Sequence, residues 1–320
     1  MVDESVLWAS ADRGARLVTL SLLADAQTAA ETLRSVALEL RDGDAAGDDA
    51  LHDFRVAVRR LRSWIRAFQP QLRDSVSRRQ RRRLAHVAAA TGATRDATVH
   101  LAWLRGERRA MSAQQRVGHT WIRLHMQQKR QAGCDPALSA ATEFQDMIAK
   151  LKRRLSVYPC QVIVHERPPR FGPIFAERML IENEWLRRDL TAIHEFTDVE
   201  AAHRARIAAK RLRYVVGLLS KLGDDADAII DTLKSLQDAL GDLHDVHVFL
   251  FEVEAAEVNE AVRPGLLRIA RRLHERGALA YARIERDWLN DAGALFFDRV
   301  REQAAGIARR PPDRNEMQNT

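Results

Sequence analysis

The sequence predicts an all-α protein built from a duplicated helical unit. Three observations carry that expectation: the composition, the spacing of the apolar residues, and a basic motif that occurs twice. In 320 residues there are 15 glycines, 9 prolines and three tyrosines. Leucine, alanine and arginine dominate, which is the usage of helices rather than of sheets or disordered segments. At 46% apolar content the chain can bury a core without staples.

Taken in order, apolar residues at helical spacing, beginning with Leu17, Leu20 and Ala24, predict helices over 13–41 and 50–69. Further helices are expected over 76–106, kinked at Gly92, and over 112–131 and 137–156. Residues 158–173 hold four of the nine prolines and read as a linker between two helical halves, 18–157 and 174–308. Beyond it the spacing, as in Leu236, Leu240 and Leu243, predicts helices over 173–194, 200–221, 225–260, 263–288 and 293–308. Residues 1–17 are expected to be an N-terminal extension and 309–320 a polar tail.

The halves repeat one another. His52-Asp-Phe-Arg55-Val-Ala-Val-Arg59-Arg60-Leu61-Arg62 matches His203-Arg-Ala-Arg206-Ile-Ala-Ala-Lys210-Arg211-Leu212-Arg213, 151 residues later. A second match pairs Gly92-Ala-Thr-Arg95-Asp96 with Gly241-Asp-Leu-His244-Asp245. Two motifs in the same order at nearly the same separation indicate a duplication.

Charge is concentrated on these motifs. The formal excess is +7, and 45 of the 51 basic residues are arginine. Residues 52–83 hold eleven arginines against Asp53 and Asp74, and 203–213 hold five basic and no acidic residues. Together they carry +14, so the rest of the chain carries −7. At about 100° per residue, His52, Arg55, Arg59, Arg62 and Arg66 fall within an arc of roughly 80°, a stripe about 20 Å long. His203, Arg206, Lys210 and Arg213 form its counterpart. A solvated helix face normally interleaves acids at i and i+4; here they are missing, and a polyanionic partner is expected. Arginine suits phosphate because its planar fork donates two parallel hydrogen bonds and stays charged. The histidines heading the stripes are candidate donors whose protonation rises beside phosphate.

Cys134 and Cys160 stand apart with no CxxC, which supports neither a disulfide framework nor a zinc finger. The acidic N-terminus MVDESVLWAS is unlike a signal peptide, and no apolar run reaches the 18 or so residues of a membrane span. The expectation is a soluble, cytoplasmic protein with no membrane partner and no cofactor.

The doubled histidine-headed motif, with Arg211-Leu-Arg213-Tyr214 in its second copy and LKSLQDALGDLHDVHV after it, resembles the CHAD domain (conserved histidine α-helical domain) family over about residues 18–308. The resemblance implies two pseudo-symmetric four-helix bundles meeting at a basic groove. It further implies noncatalytic binding of inorganic polyphosphate, with targeting to polyphosphate granules. Carried onto this chain, it implicates His52, Arg55, Arg59, Arg60 and Arg62, and His203, Arg206, Lys210, Arg211 and Arg213. Arg66, Arg83, Arg95 and His244 join them as candidates from the stripe, the arginine run and the glycine motifs. Because the run at 78–83 faces aspartates in the second half, and His244 replaces Arg95, the groove is expected to be asymmetric.

The second reading is a protein that holds the nucleic-acid phosphate backbone, though only Tyr214 lies beside a stripe where single-strand binders interleave several aromatics. A polyphosphate or phosphate-ester hydrolase ranks third. The chain lacks GxxxxGK[ST], HExxH and ExExK signatures, and the stripes offer only Asp53 to hold a metal. His244 and His247, three apart, and the loop Asp42–Gly47 both fall short of a metal site.

Overall fold

The computed structural model describes residues 4–157, 168–221 and 224–309. Among these the extended elements are helices, and the one strand-like contact is an isolated bridge between Ser10 and Arg170. The first half contains α1 (Ala11–Ser35), α2 (Ala37–Asp42), α3 (Ala45–Ala67), α4 (Gln69–Leu72), α5 (Arg78–Ala90), α6 (Gly92–Glu107) and α7 (Ala113–Ser156). The second contains α8 (Phe171–Thr191), α9 (Val199–Val216), α10 (Asp224–Glu254), α11 (Arg263–Trp288) and α12 (Asp291–Arg309).

Local chemistry sets several boundaries. Ser77 and Gln80 close a capping box on α5, and Ser112 and Gln115 another on α7, each satisfying orphan N–H groups of a first turn. Gly43, at φ 87°, supplies the left-handed residue that ends α2. The expected single helix over 13–41 divides at Val36, and that over 76–106 divides at Thr91, beside the anticipated Gly92. The two helices expected over 112–131 and 137–156 are instead one 44-residue rod, α7, with Pro136 inside it. Proline removes one backbone donor and disfavours a helix interior, but flanking residues Cys134 and Ala137 are fully packed and hold the turn in place. α10 stops at Glu254 rather than 260.

The expected extension over 1–17 is largely built into the body. Val6 and Leu7 are buried, α1 starts at Ala11, and buried Arg16 donates from Nε to the Leu155 carbonyl at 3.0 Å. Residues 158–167 of the expected linker and 310–320 of the tail lie outside the described residues.

Helix contacts close into three rings. α1, α3, α5 and α7 touch in sequence, as do α8, α9, α10 and α12. A third ring, not anticipated, takes α6 and α7 from the first half and α10 and α11 from the second. It encloses its own cluster, including Leu104, Ile122, Met126, Phe249 and Ile269. α7 and α11 approach closely there: a Cβ on Gly118 would lie 2.2 Å from the Val262 carbonyl oxygen and 2.7 Å from Gly265 Cα. A larger cluster spans both halves through Trp64 and Phe68 of the first and Phe171 and Phe175 of the second, with Phe68 and Phe175 stacked at 6.2 Å. Trp64, which the helical wheel sets off the apolar face, is buried, and its Nε1 donates to the Ala15 carbonyl at 3.2 Å. Packing of α3 against α1, α5 and α9 widens its buried arc.

Candidate functional site

α3 and α9 pack against each other, and this brings the two basic stripes to one cavity of about 600 Å³. Each helix buries an apolar stripe, Phe54, Val58, Leu61 and Ile65 on α3 and Ala205, Ala209, Leu212 and Val216 on α9. The basic faces beside those stripes are therefore turned to a shared groove. Arg59, Arg62 and Arg66 line it from α3, and His203, Arg206, Lys210 and Arg211 from α9. Tyr214, Ser63 and Gln69 complete the polar lining, with Ile65, Leu84 and Ile207 as an apolar floor.

One further cation was missed by sequence reasoning. Arg81, on α5, lines the groove one turn before Leu84. In the run 78–83 both Arg81 and Arg83 flank the side of α5 that carries Leu84 and Val87, so periodicity gave no signal as to which one lines the groove.

The lining holds six arginines, a lysine and a histidine, and no aspartate or glutamate. Elsewhere arginines find acids: Arg41 pairs with Asp135, Arg130 with Asp48 and Arg178 with Glu182. Among the described residues none of the groove's arginines, nor Lys210, has an acidic partner within 4 Å. The Nε atoms of Arg81 and Arg206 are buried with no hydrogen-bond partner. An unmet donor of that kind is costly unless something else accepts from it.

The electrostatics agree. Burial, then the charges of Arg206 and Arg59, push Lys210 down to about 6. Burial is also the leading cause for Arg206 and Arg62, followed in each by Arg59, and for Arg211, followed by Arg66. His203 is lowered by burial and then by Arg206 and Lys210. Its ring lies 5.5 Å from that of His244, which burial and Arg206 hold down at about 3. Behind them Asp245 is raised by burial against the pull of Arg206.

Other predicted residues lie elsewhere. Arg55 shares the α3 stripe but is buried; it donates to the Thr91 carbonyl and sits 3.9 Å from Asp96, and burial lowers it to about 10. It ties α3 to the α5–α6 junction. His52 and Arg95 stand at the same end, where burial and then Arg95 lower the His52 pKa. Arg60 lines a separate hollow between α1 and α3 with Asp25 and Asp53. Arg83 pairs with Glu143 at 3.0 Å. The Arg213 guanidinium carbon lies 5.7 Å from the centroid of the Tyr214 ring. His247 engages the Phe196 carbonyl and so is separated in role from His244. Among the described residues no group of three His, Cys, Asp or Glu side chains could hold a metal ion, and no helix is long and apolar enough to cross a membrane.

Comparison with known proteins accords with this architecture. The sequence model described as CHAD domain matches residues 24–254. The chain is similar in structure to the CHAD domain from the plant Ricinus communis, with a TM-score of 0.60 and 19% identity, covering 95% of this chain and 94% of that one. It is also similar to PptA from Streptomyces chartreusis, with a TM-score of 0.56 and 15% identity over 84% of this chain and 98% of that one. At these identities the likeness is one of fold. No curated protein matches the chain.

Proposed function

Because the chain belongs to the CHAD domain family, we propose that it is a noncatalytic binding module for inorganic polyphosphate, with the groove between α3 and α9 as its site. The observation that carries this reading is a groove lined by eight basic side chains with no acid among them. Gathering like charges without counter-ions disfavours the folded state, and a phosphate chain supplies the missing charge along the whole line at once. The lining also lacks a carboxylate to hold a catalytic metal at bound phosphates, which supports a binding role over hydrolysis. The two rings α1–α3–α5–α7 and α8–α9–α10–α12 are read as the duplicated, pseudo-symmetric bundles, with the groove at their junction. On this reading the role of the site is to recruit the chain to polyphosphate granules in the cytoplasm.

Nucleic acid is the second reading, and Tyr214 in the lining is the observation that favours it. Competition of labelled long-chain polyphosphate against single- and double-stranded DNA at physiological salt separates the two. Polyphosphate is expected to win, and Arg59→Ala with Arg206→Ala to abolish its binding while the helical circular-dichroism signal stays intact. A wide preference for DNA, or unchanged binding by the double variant, overturns the reading.

A further inference from the structure

Arg81 lies outside both histidine-headed motifs, on a helix for which the second half supplies no lining residue. Its neighbours on α5 are accounted for: Arg78, Arg79 and Arg82 are exposed to solvent, and Arg83 is paired with Glu143. Arg81 alone of the run turns inward, on the same face as Leu84, into the cavity that the two stripes enclose. Its Nε is buried there with no partner, as is the Nε of Arg206 on α9. Two guanidinium groups from different helices thus line one groove, and each has an Nε that no protein group satisfies.

We propose that Arg81 is a third wall of the site, its guanidinium donating to phosphate oxygens of a chain lying between α3 and α9. The inference rests on the polyphosphate reading above and adds a ligand-contacting residue that the repeated motifs do not contain. A planar guanidinium donates two parallel N–H bonds and so matches two oxygens of a single phosphate group. Lysine at this position keeps the charge but lacks the planar two-donor fork. The groove is therefore walled on the α5 side by a cation of the first half alone, so a bound chain is held more closely by that half.

The test compares Arg81→Ala, Arg81→Lys and Arg79→Ala with the wild-type chain by calorimetric titration with long-chain inorganic polyphosphate. Arg79→Ala removes the same charge from the same helix on its solvent side, and so measures the general field. Arg81→Ala is expected to weaken binding by about tenfold or more, the scale of a charged hydrogen bond. It should also lower the slope of log affinity against log salt by about one. Arg81→Lys is expected to recover only part of the loss and Arg79→Ala to stay within about twofold. Circular dichroism confirms that each variant folds. Equal losses for Arg79→Ala and Arg81→Ala, or full recovery with lysine, overturn the contact and leave only a field effect. A wild-type chain that binds no polyphosphate sinks the proposed function itself, and this inference with it.

Discussion

Replacing Lys210 with methionine tests whether the groove stores electrostatic cost. Lysine in an unfolded chain titrates near its ordinary 10.5, whereas burial, Arg206 and Arg59 bring Lys210 to about 6, with Asp245 pulling weakly the other way. A group whose folded pKa is depressed below its unfolded one makes the unfolded state the better proton binder, so stability rises with pH across that window. Below about 6 the penalty is complete, and above 10.5 it is gone. At pH 8, holding the lysine neutral costs the fold roughly 3 kcal/mol, at 1.36 kcal/mol for each tenfold in the proton equilibrium. Methionine keeps an unbranched stem and carries no charge, so Lys210→Met should be more stable by about that amount. The sharper signature is the pH dependence. Between pH 7 and 9 the gap between variant and wild type should close by about 1.4 kcal/mol per pH unit, and that slope requires only that Lys210 be neutral when folded and charged when unfolded. Urea denaturation at several pH values measures it. A gap that is flat over this range refutes the reasoning, since it means Lys210 stays protonated in the folded groove.

Three further outcomes follow from the packing. Arg55→Ala should lower stability by about 2–3 kcal/mol in urea denaturation, because it strips the Thr91 carbonyl and Asp96 of their buried partner. Arg83→Ala, whose pair with Glu143 is partly exposed, should cost under about 1 kcal/mol and leave polyphosphate binding intact. Gly118→Ala should lower the unfolding free energy by about 1–3 kcal/mol, seen as a lower denaturation midpoint with an unchanged m-value, since the added methyl meets Val262, just before α11, and Gly265 in it.

The stripes on α3 and α9 were legible because helical periodicity fixes which residues share a face, and Arg59, Arg62, Arg206 and Lys210 do line one groove. Their meeting required a contact between helices some 150 residues apart, which the duplication suggested and spacing alone could not supply. Arg55 obeys the same periodicity yet is covered by Thr91 and Asp96, because the α5–α6 junction closes over its end of the helix. Arg81 rather than Arg83 faces the groove because α5 packs on α3 and α7, a choice invisible in a run that puts an arginine on each flank of the buried side. Pro136 reads locally as a break, and tertiary packing overrode that preference.

The seam between the halves has a mechanical consequence. A clamshell needs one line along which two bodies can swing, and this fold is fastened along three: α3 on α9, the aromatic cluster of α3 with α8, and the mixed ring of α6, α7, α10 and α11. Opening the halves would strip apolar side chains from all of them together, including Phe249 and Ile122. The walls of the α3–α9 groove are thus braced by apolar packing along the whole seam, and widening the groove would have to break that packing.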